Sequence, residues 1–391
     1  MVAERGDWQV VFARTDTDTT VAAFDCEISR LGRYVSPKVG DLQLTIPIPN
    51  AQVGLEAQKI YGQEGKLSMY AYRDNDIWWG GFFDNAEVSS DGDFPTMTVS
   101  GSAFEIYPDR RELREDKSVS MDQTAYAKYF WDYMQGFPGG NIGVETPTPR
   151  ASGVGRATDW LRSDVETVGK VLQEVSHRDN GFEWIIDCYV DDEGKRRRVL
   201  TTGYPFIGRP DYGIDLTYPG NILSYLITGE STEGALSFQA RGKAPDPPKG
   251  VKRADDAPPI PPAMSQIFTA DEWIKAGYTR TDATIERRDE TDTNVLDGWA
   301  KLARQLRSGP LVLPQAVVRM EGFNQSVLGS TVRLRIDDYL WPRKADGAPG
   351  YEISARVIGY EVDPGEFGAD DVVKLIFENP RDTDGAERGP A

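Results

Sequence analysis

The 391-residue chain sets 44 Lys and Arg against 62 Asp and Glu, a formal net charge of -18, with 39% hydrophobic residues, two Cys and one His. That length and apolar content supply cores for two or three domains, while the acidic balance argues against a surface built to hold a phosphate backbone, an affinity that comes from Lys and Arg displacing condensed counterions. One histidine excludes multi-histidine metal sites, and two cysteines exclude a disulfide framework or a cysteine zinc site.

The opening residues MVAERGDWQVVFARTD have no basic region followed by an apolar run, and no later segment approaches a membrane-spanning length, so synthesis in the cytoplasm without secretion is expected. Residues 8–110 then read as short strands between turn clusters. In 42–48, Leu42, Leu44, Ile46 and Ile48 alternate with Gln43, Thr45 and Pro47, the period of a half-buried strand, and Pro47 and Pro49 mark an edge or a strand end. Residues 66–73 alternate through Leu67, Met69 and Ala71, and Asp74-Asn75-Asp76 turns the chain into a strand over 77–88. A tip at 89–93 leads into 95–104, where Met97 and Val99 alternate with Thr96, Thr98 and Ser100. About six strands at this spacing predict a small antiparallel barrel over 1–111, which removes exposed edges by closing on itself. Gly62-Gln63-Glu64-Gly65-Lys66 has part of a phosphate-loop pattern, but it precedes a strand where that motif needs a helix, so it reads as a turn.

Over 112–220 the pattern becomes that of an α/β domain. Asp122 caps a helix whose apolar face is Ala125, Tyr126, Tyr129, Phe130, Tyr133 and Met134, ended by Gly136. Ser163 with Glu166 forms a capping-box pattern around a second helix with Val165, Val168, Leu172 and Val175, and His177 falls at its end, where an imidazole meets terminal carbonyls. A strand with Phe182, Trp184, Ile186, Cys188 and Val190 on one face turns at 191–194 and returns through Val199 to Thr202. Lys195-Arg196-Arg197-Arg198 has the composition of a nucleic-acid patch, yet its place after a hairpin turn fits a solvated edge that blocks strand pairing.

From Asn221 strands resume over 222–228 and 235–241, until prolines over 244–263 enforce an extended linker or loop. Thr269 and Glu272 cap a short helix ended by Gly277, and Val295, Trp299, Leu302 and Leu306 mark a longer one. Strands return at 317–320, at Val332, Leu334 and Ile336 alternating with Arg333 and Arg335, and in a final hairpin from 351 to Phe377 turned by Asp363-Pro364-Gly365. A second barrel is therefore expected from 221–242 and 311–378, with 243–310 inserted and packing on the α/β domain, and a disordered tail over 379–391. The final hairpin, ISARVIGYEVDPGEFGADDVVKLIFENP, is similar to IWWGGFFDNAEVSSDGDFPTMTVSGSAFE in the first barrel. The predicted fold class is mainly β with an α/β portion: two related antiparallel β-barrels flanking an α/β domain, the second barrel interrupted by an insertion.

Chemistry is sparse. There is no nucleophile elbow, Walker loop or complete dinucleotide fingerprint, and Cys26 and Cys188 read as buried thiols. Asp16, Asp18, Asp91, Asp93, Asp191, Asp192, Asp370 and Asp371 cluster at turns, where solvated acids are the common case, although calcium ligation or a glycosidase pair needs no tight spacing. Trp78-Trp79 suggests a sugar platform, but strand alternation turns one ring into the core and the other to an interface. No catalytic, cofactor-binding or metal-binding residue is expected, and no enzyme activity.

The order of parts carries a resemblance. The first barrel followed by GSAFEIYPDRRELRED and MDQTAYAKYFWDYMQGFPGGNIGVET, then GFEWIIDCYV, LTYPGNILSYLITGEST and Gly329-Ser330-Thr331-Val332, resembles the minor tail proteins of long, flexible-tailed phages of actinobacteria, the tail-hub or tail-associated family. That family is similar to the central baseplate hub of contractile-tailed phages. The resemblance implies a homotrimer in the virion tail tip that closes the tail tube and gates DNA ejection. It also implies contacts with the distal tail or tube protein, the tape measure protein and receptor-binding tail proteins, and passage of DNA without specific binding. Because the chain stops soon after its last strand, the resemblance implies a hub without an appended enzyme. A receptor- or carbohydrate-binding adhesin and a cell-wall glycan hydrolase are the alternatives.

Overall fold

The computed structural model describes residues 8–90, 92–176, 181–209, 214–231, 234–245, 258, 260–287, 290–309, 311–321, 323–363 and 371–379. It is 44% strand and 18% helix and divides into two compact units, one from Met1–Ser176, Gly181–Tyr225 and Gln315–Phe377, the other around Leu226–Pro314. His177, Asp91, Asp370, Pro364 and Gly365, most of the Pro-rich stretch and the tail from 380 lie outside the described residues. No helix among the described residues is long and apolar enough to cross a membrane.

The larger unit opens with β1 (Trp8–Arg14), β2 (Thr20–Tyr34), β3 (Asp41–Pro47), the helix α1 (Ala51–Gln58), β4 (Leu67–Arg73), β5 (Asp76–Phe82), β6 (Asn85–Ser89) and β7 (Thr96–Ser102). The side chain of Asn50 caps α1 by accepting from Val53 N at 3.0 Å. Asp74 and Asn75 have φ of 52° and 68°, the two left-handed residues that a tight hairpin between β4 and β5 requires. The strand expected over 77–88 is broken at Phe83 and Asp84: β5 pairs with β4, and β6 pairs with β7. Antiparallel pairs β1–β2, β1–β4, β2–β3 and β3–β7 complete this first set. Because β3 has neighbours on both sides, Pro47 marks its end and not an edge. The expected closed sheet is not formed among the described pairings; Gly81 of β5 makes one bridge to Ala103, just past β7, and Asp84, past the end of β5, donates from its N–H to Ser100 O of β7. Gly101 permits that approach, since a Cβ there would lie 2.0 Å from the Phe82 carbonyl oxygen.

Next come β8 (Lys117–Asp122), α2 (Gln123–Gln135), β9 (Gly155–Trp160), α3 (Val168–Ser176), β10 (Glu183–Val190) and β11 (Arg196–Gly203), with hairpins β8–β9 and β10–β11. Asp122 caps α2 as expected, accepting from Thr124 N at 3.1 Å. The buried stripe of α2 is Tyr126, Ala127, Phe130, Trp131 and Met134, with Ala125, Tyr129 and Tyr133 only half-buried. The second helix starts later than the capping-box pattern suggests: Val165 is exposed with φ 54°, and Thr167 accepts from Lys170 N. On β10, Trp184, Ile186 and Cys188 join the helical core while Ile185 faces the strand core, and Val190 is exposed. This strand is buried on both faces where alternation alone predicts one.

The chain continues through β12 (Asp215–Tyr218) and β13 (Ile222–Glu230) into the smaller unit: β14 (Ser237–Arg241), β15 (Phe268–Thr269), α4 (Asp271–Lys275), β16 (Asp282–Glu286) and α5 (Thr293–Arg307). β14, expected within a second barrel, pairs instead with β15 and β16, and this three-stranded sheet forms a separate core with Leu296, Ala300 and Ala303 of α5. Its own apolar residues, Phe238 and Ala240, are spent on that core. The buried stripe of α5 is thus offset by one residue from Val295 and Leu302. No side chain caps α4; Thr269 bonds to the Asp271 carboxylate.

Finally β17 (Leu311–Arg319), β18 (Thr331–Ile336), β19 (Tyr351–Asp363) and β20 (Val372–Phe377) form, with β12 and β13, a second set. The first half of β19 pairs with β18 and its second half with β20. That is the scheme of the first set, in which β5 and β6 divide the same task between β4 and β7. One continuous apolar cluster, including Phe12, Leu44, Met69 and Val99 with Val332, Leu334, Tyr360 and Leu375, underlies both sets. Each such side chain contributes about 1.5–3 kcal/mol on burial.

Candidate assembly interface

The residues singled out for chemistry are occupied with structure. Asp16 pairs with Arg14, Asp191 with Arg197, and Asp18 with Arg196 and Arg198. Arg198 is no solvated edge residue: it is buried, with bonds to Thr15 O and the Tyr70 hydroxyl besides Asp18. Asp371, also buried, accepts from Trp8 Nε1 at 2.8 Å and pairs with Arg73 at 2.5 Å. Asp93 and Asp192 are exposed, and Gly62 and Gly65 take left-handed turn conformations before β4. Both Trp78 and Trp79 are buried, Trp78 against Trp8, Phe323 and Tyr360, which corrects the expectation of one outward ring. Burial pushes the Cys188 thiol up to about 12, and that of the half-buried Cys26 likewise to about 12. Among the described residues no group of three or more His, Cys, Asp and Glu side chains is arranged to hold a metal ion.

What stands out is the way the two sets join. Leu31–Tyr34 at the end of β2 pair antiparallel with Val362–Gly359 of β19, making one run of eight strands in the order β13-β17-β20-β19-β2-β3-β7-β6. Sequence reasoning missed this junction, since nothing local marks a pairing across more than three hundred residues. It is held by polar side chains on one face. The Tyr34 hydroxyl donates to Glu361 and Arg30 approaches it at 3.9 Å across the junction, while Lys38 Nζ lies 3.6 Å over the Tyr34 ring, Asp41 pairs with Arg30 at 3.0 Å, and Lys374 approaches Glu361 at 3.7 Å from its own side. Burial works to raise the Glu361 carboxyl, but the Tyr34 hydroxyl, Lys374, Lys38 and Arg30 together hold it below the usual carboxylate range. Gly359 has no room for a side chain, as a Cβ would come 2.2 Å from Tyr34 Cδ1.

The outer strands of this run are uncovered among the described residues: β6 has β7 as its one neighbour, and β13 has β17. An open edge presents unpaired backbone N–H and C=O groups to a second chain. The solvent face carries hydroxyls, amides and one carboxylate in register, Thr45 opposite Thr98, Gln43 opposite Ser100, and Asn85, Glu87 and Ser89 opposite Ser100, Thr98 and Thr96.

No protein-family model matches the chain, and no curated protein sequence matches it. Solved structures do. The 43 kDa tail protein of prophage MuSo2 from Shewanella oneidensis is similar with a TM-score of 0.61 at 12% identity, over 97% of this chain and 99% of that one. The tail protein from Neisseria meningitidis MC58 is similar with a TM-score of 0.54 at 12% identity, over 97% and 99%. At such identity the likeness lies in the fold, and it spans both strand sets and everything between them.

Proposed function

We propose that this chain, whose fold is that of phage tail proteins, is a structural protein of a phage tail tip, a trimeric hub that closes the distal end of the tail tube and gates DNA ejection. The observation that carries the reading is the β2–β19 junction. It joins two like-ordered four-stranded halves edge to edge and leaves one open edge of each kind, β6 and β13. Repeating the junction between copies, β13 of one beside β6 of the next, makes a ring, and three copies give six similar halves that match a sixfold tube. Each strand set then acts as a small barrel, a reading supported by the Gly81–Ala103 bridge. The face of Thr45, Thr96, Thr98, Ser100 and Gln43 lines the lumen; with few free cations, such a wall holds a passing polyanion weakly. The partners are the distal tail or tube protein, the tape measure protein and receptor-binding proteins of a long-tailed virion. The adhesin alternative loses its motivating pair, because Trp78 and Trp79 are core residues. Sedimentation velocity with electron microscopy tests the proposal: a ring of three copies is expected, and a monomer at every concentration up to that of assembling tails overturns it.

A further inference from the structure

The two sets differ most where β4 meets β5 and β18 meets β19. The first connection is the tight Asp74–Asn75 turn; the second is the loop 337–350. This loop is firmly built. The Asp338 carboxylate accepts from Leu340 N at 2.8 Å, from Trp341 N at 2.9 Å and from the Tyr225 hydroxyl of β13. Asp337 accepts from Gly350 N at 2.9 Å and pairs with Arg343 at 2.6 Å, and the Trp341 ring lies 4.7 Å from Tyr351 and 6.0 Å from Tyr225. On this frame Tyr339 is fully exposed and Leu340 is 71% exposed. Apolar side chains on a pre-ordered loop lose little conformational freedom when covered, and Tyr ranks among the residues that dominate interface energies.

The cis junction indicates what covers them. Within one copy, Asp371, next to the β19–β20 connection, is fastened to Arg73 at the end of β4 and to Trp8 of β1. The start of β20 in the second set therefore rests beside the β4–β5 turn of the first. Transferred to the junction between copies, the same placement sets the β6–β7 hairpin end of one copy beside the β18–β19 loop of another. That hairpin end carries its own exposed apolar pair, Val88 and Phe94, and the loop is tied through Tyr225 to β13, the open edge itself.

We propose that Tyr339 and Leu340 dock on Val88 and Phe94 of a second copy of this chain, a contact that locks the β13–β6 edge. The proposal rests on the ring reading, and one set of measurements separates the two. Wild type, Y339S/L340S and V88S/F94S are compared by sedimentation, with thermal unfolding as a check on the fold, and a photoreactive benzoylphenylalanine is placed at 339. The expected result is a wild-type trimer, a dissociation constant raised about a hundredfold in either double variant, and cross-links from 339 to the 88–94 peptide of another copy. A wild-type trimer that both variants retain unchanged, or cross-links only to another peptide or another tail protein, overturns this docking and leaves the ring standing. A wild-type monomer without cross-links overturns both.

Discussion

The two strand sets share one pairing scheme but reach it differently. The first is continuous in sequence, turns tightly at Asp74–Asn75 and gives its long strand as two pieces, β5 and β6; the second is split by the smaller unit, has the long loop 337–350 and keeps β19 whole. What they keep in common is the order of neighbours. What they vary is the connections, where backbone polar groups reach water and insertions cost little.

Both sets are fastened to the β10–β11 hairpin by an Arg ion pair, and here the comparison can be broken. On the second set Arg356 pairs with Glu183 at 2.5 Å, and both side chains are buried. Arg356→Ala removes this buried cation from the Glu183 carboxylate, which keeps its bond from Ile207 N, and is expected to cost about 3–5 kcal/mol in denaturant unfolding. On the first set Arg198→Ala leaves Asp18 with Arg196 still 2.8 Å away, so a smaller loss, about 1–3 kcal/mol, is expected. A larger loss at Arg198 than at Arg356 would reverse the ranking of the two attachments.

The junction sharpens the contrast between a covered edge and an open one. Gly359→Val drives a side chain into the Tyr34 ring and is expected to cost about 1–3 kcal/mol, whereas Ser89→Val on the exposed edge strand β6 should stay within about 0.5 kcal/mol in the monomer. Equal effects would mean that the β2–β19 contact adds no constraint. The smallest effect concerns pH. Because Glu361 is held below its ordinary value of 4.5, it contributes stability above that value, lost as pH falls through the lower folded-state value. Glu361→Gln should therefore flatten the acid side of the stability curve below about pH 4.5, and an unchanged slope would remove Glu361 from the junction's electrostatics.

Local pattern carried much of this fold into view. The alternation in β3 and β18 and the cap at Asp122 are short-range features, set by a few neighbouring residues. Where the sequence misled, a competing contact decided. Val165 belongs to a turn because Thr167 supplies the cap, and β14 leaves the second set because Phe238 and Ala240 find a core with α5. Arg198 looks like a solvated charge in sequence, since its partner Asp18 lies 180 positions away. The junction was illegible for the same reason: pairing between Leu31 and Val362, far apart in the chain, depends on two edges meeting in space.

Linking the two halves through one polypeptide changes the thermodynamics of building a proposed six-part ring. Joining six separate parts would carry five losses of rigid-body freedom, at about 4–15 kcal/mol apiece. With β2 and β19 in the same chain, three of those five losses are taken at folding, when the halves already face each other at high effective concentration. Only two encounters remain dependent on protein concentration, the third junction closing within the assembly, so such a ring can assemble while its component is still scarce.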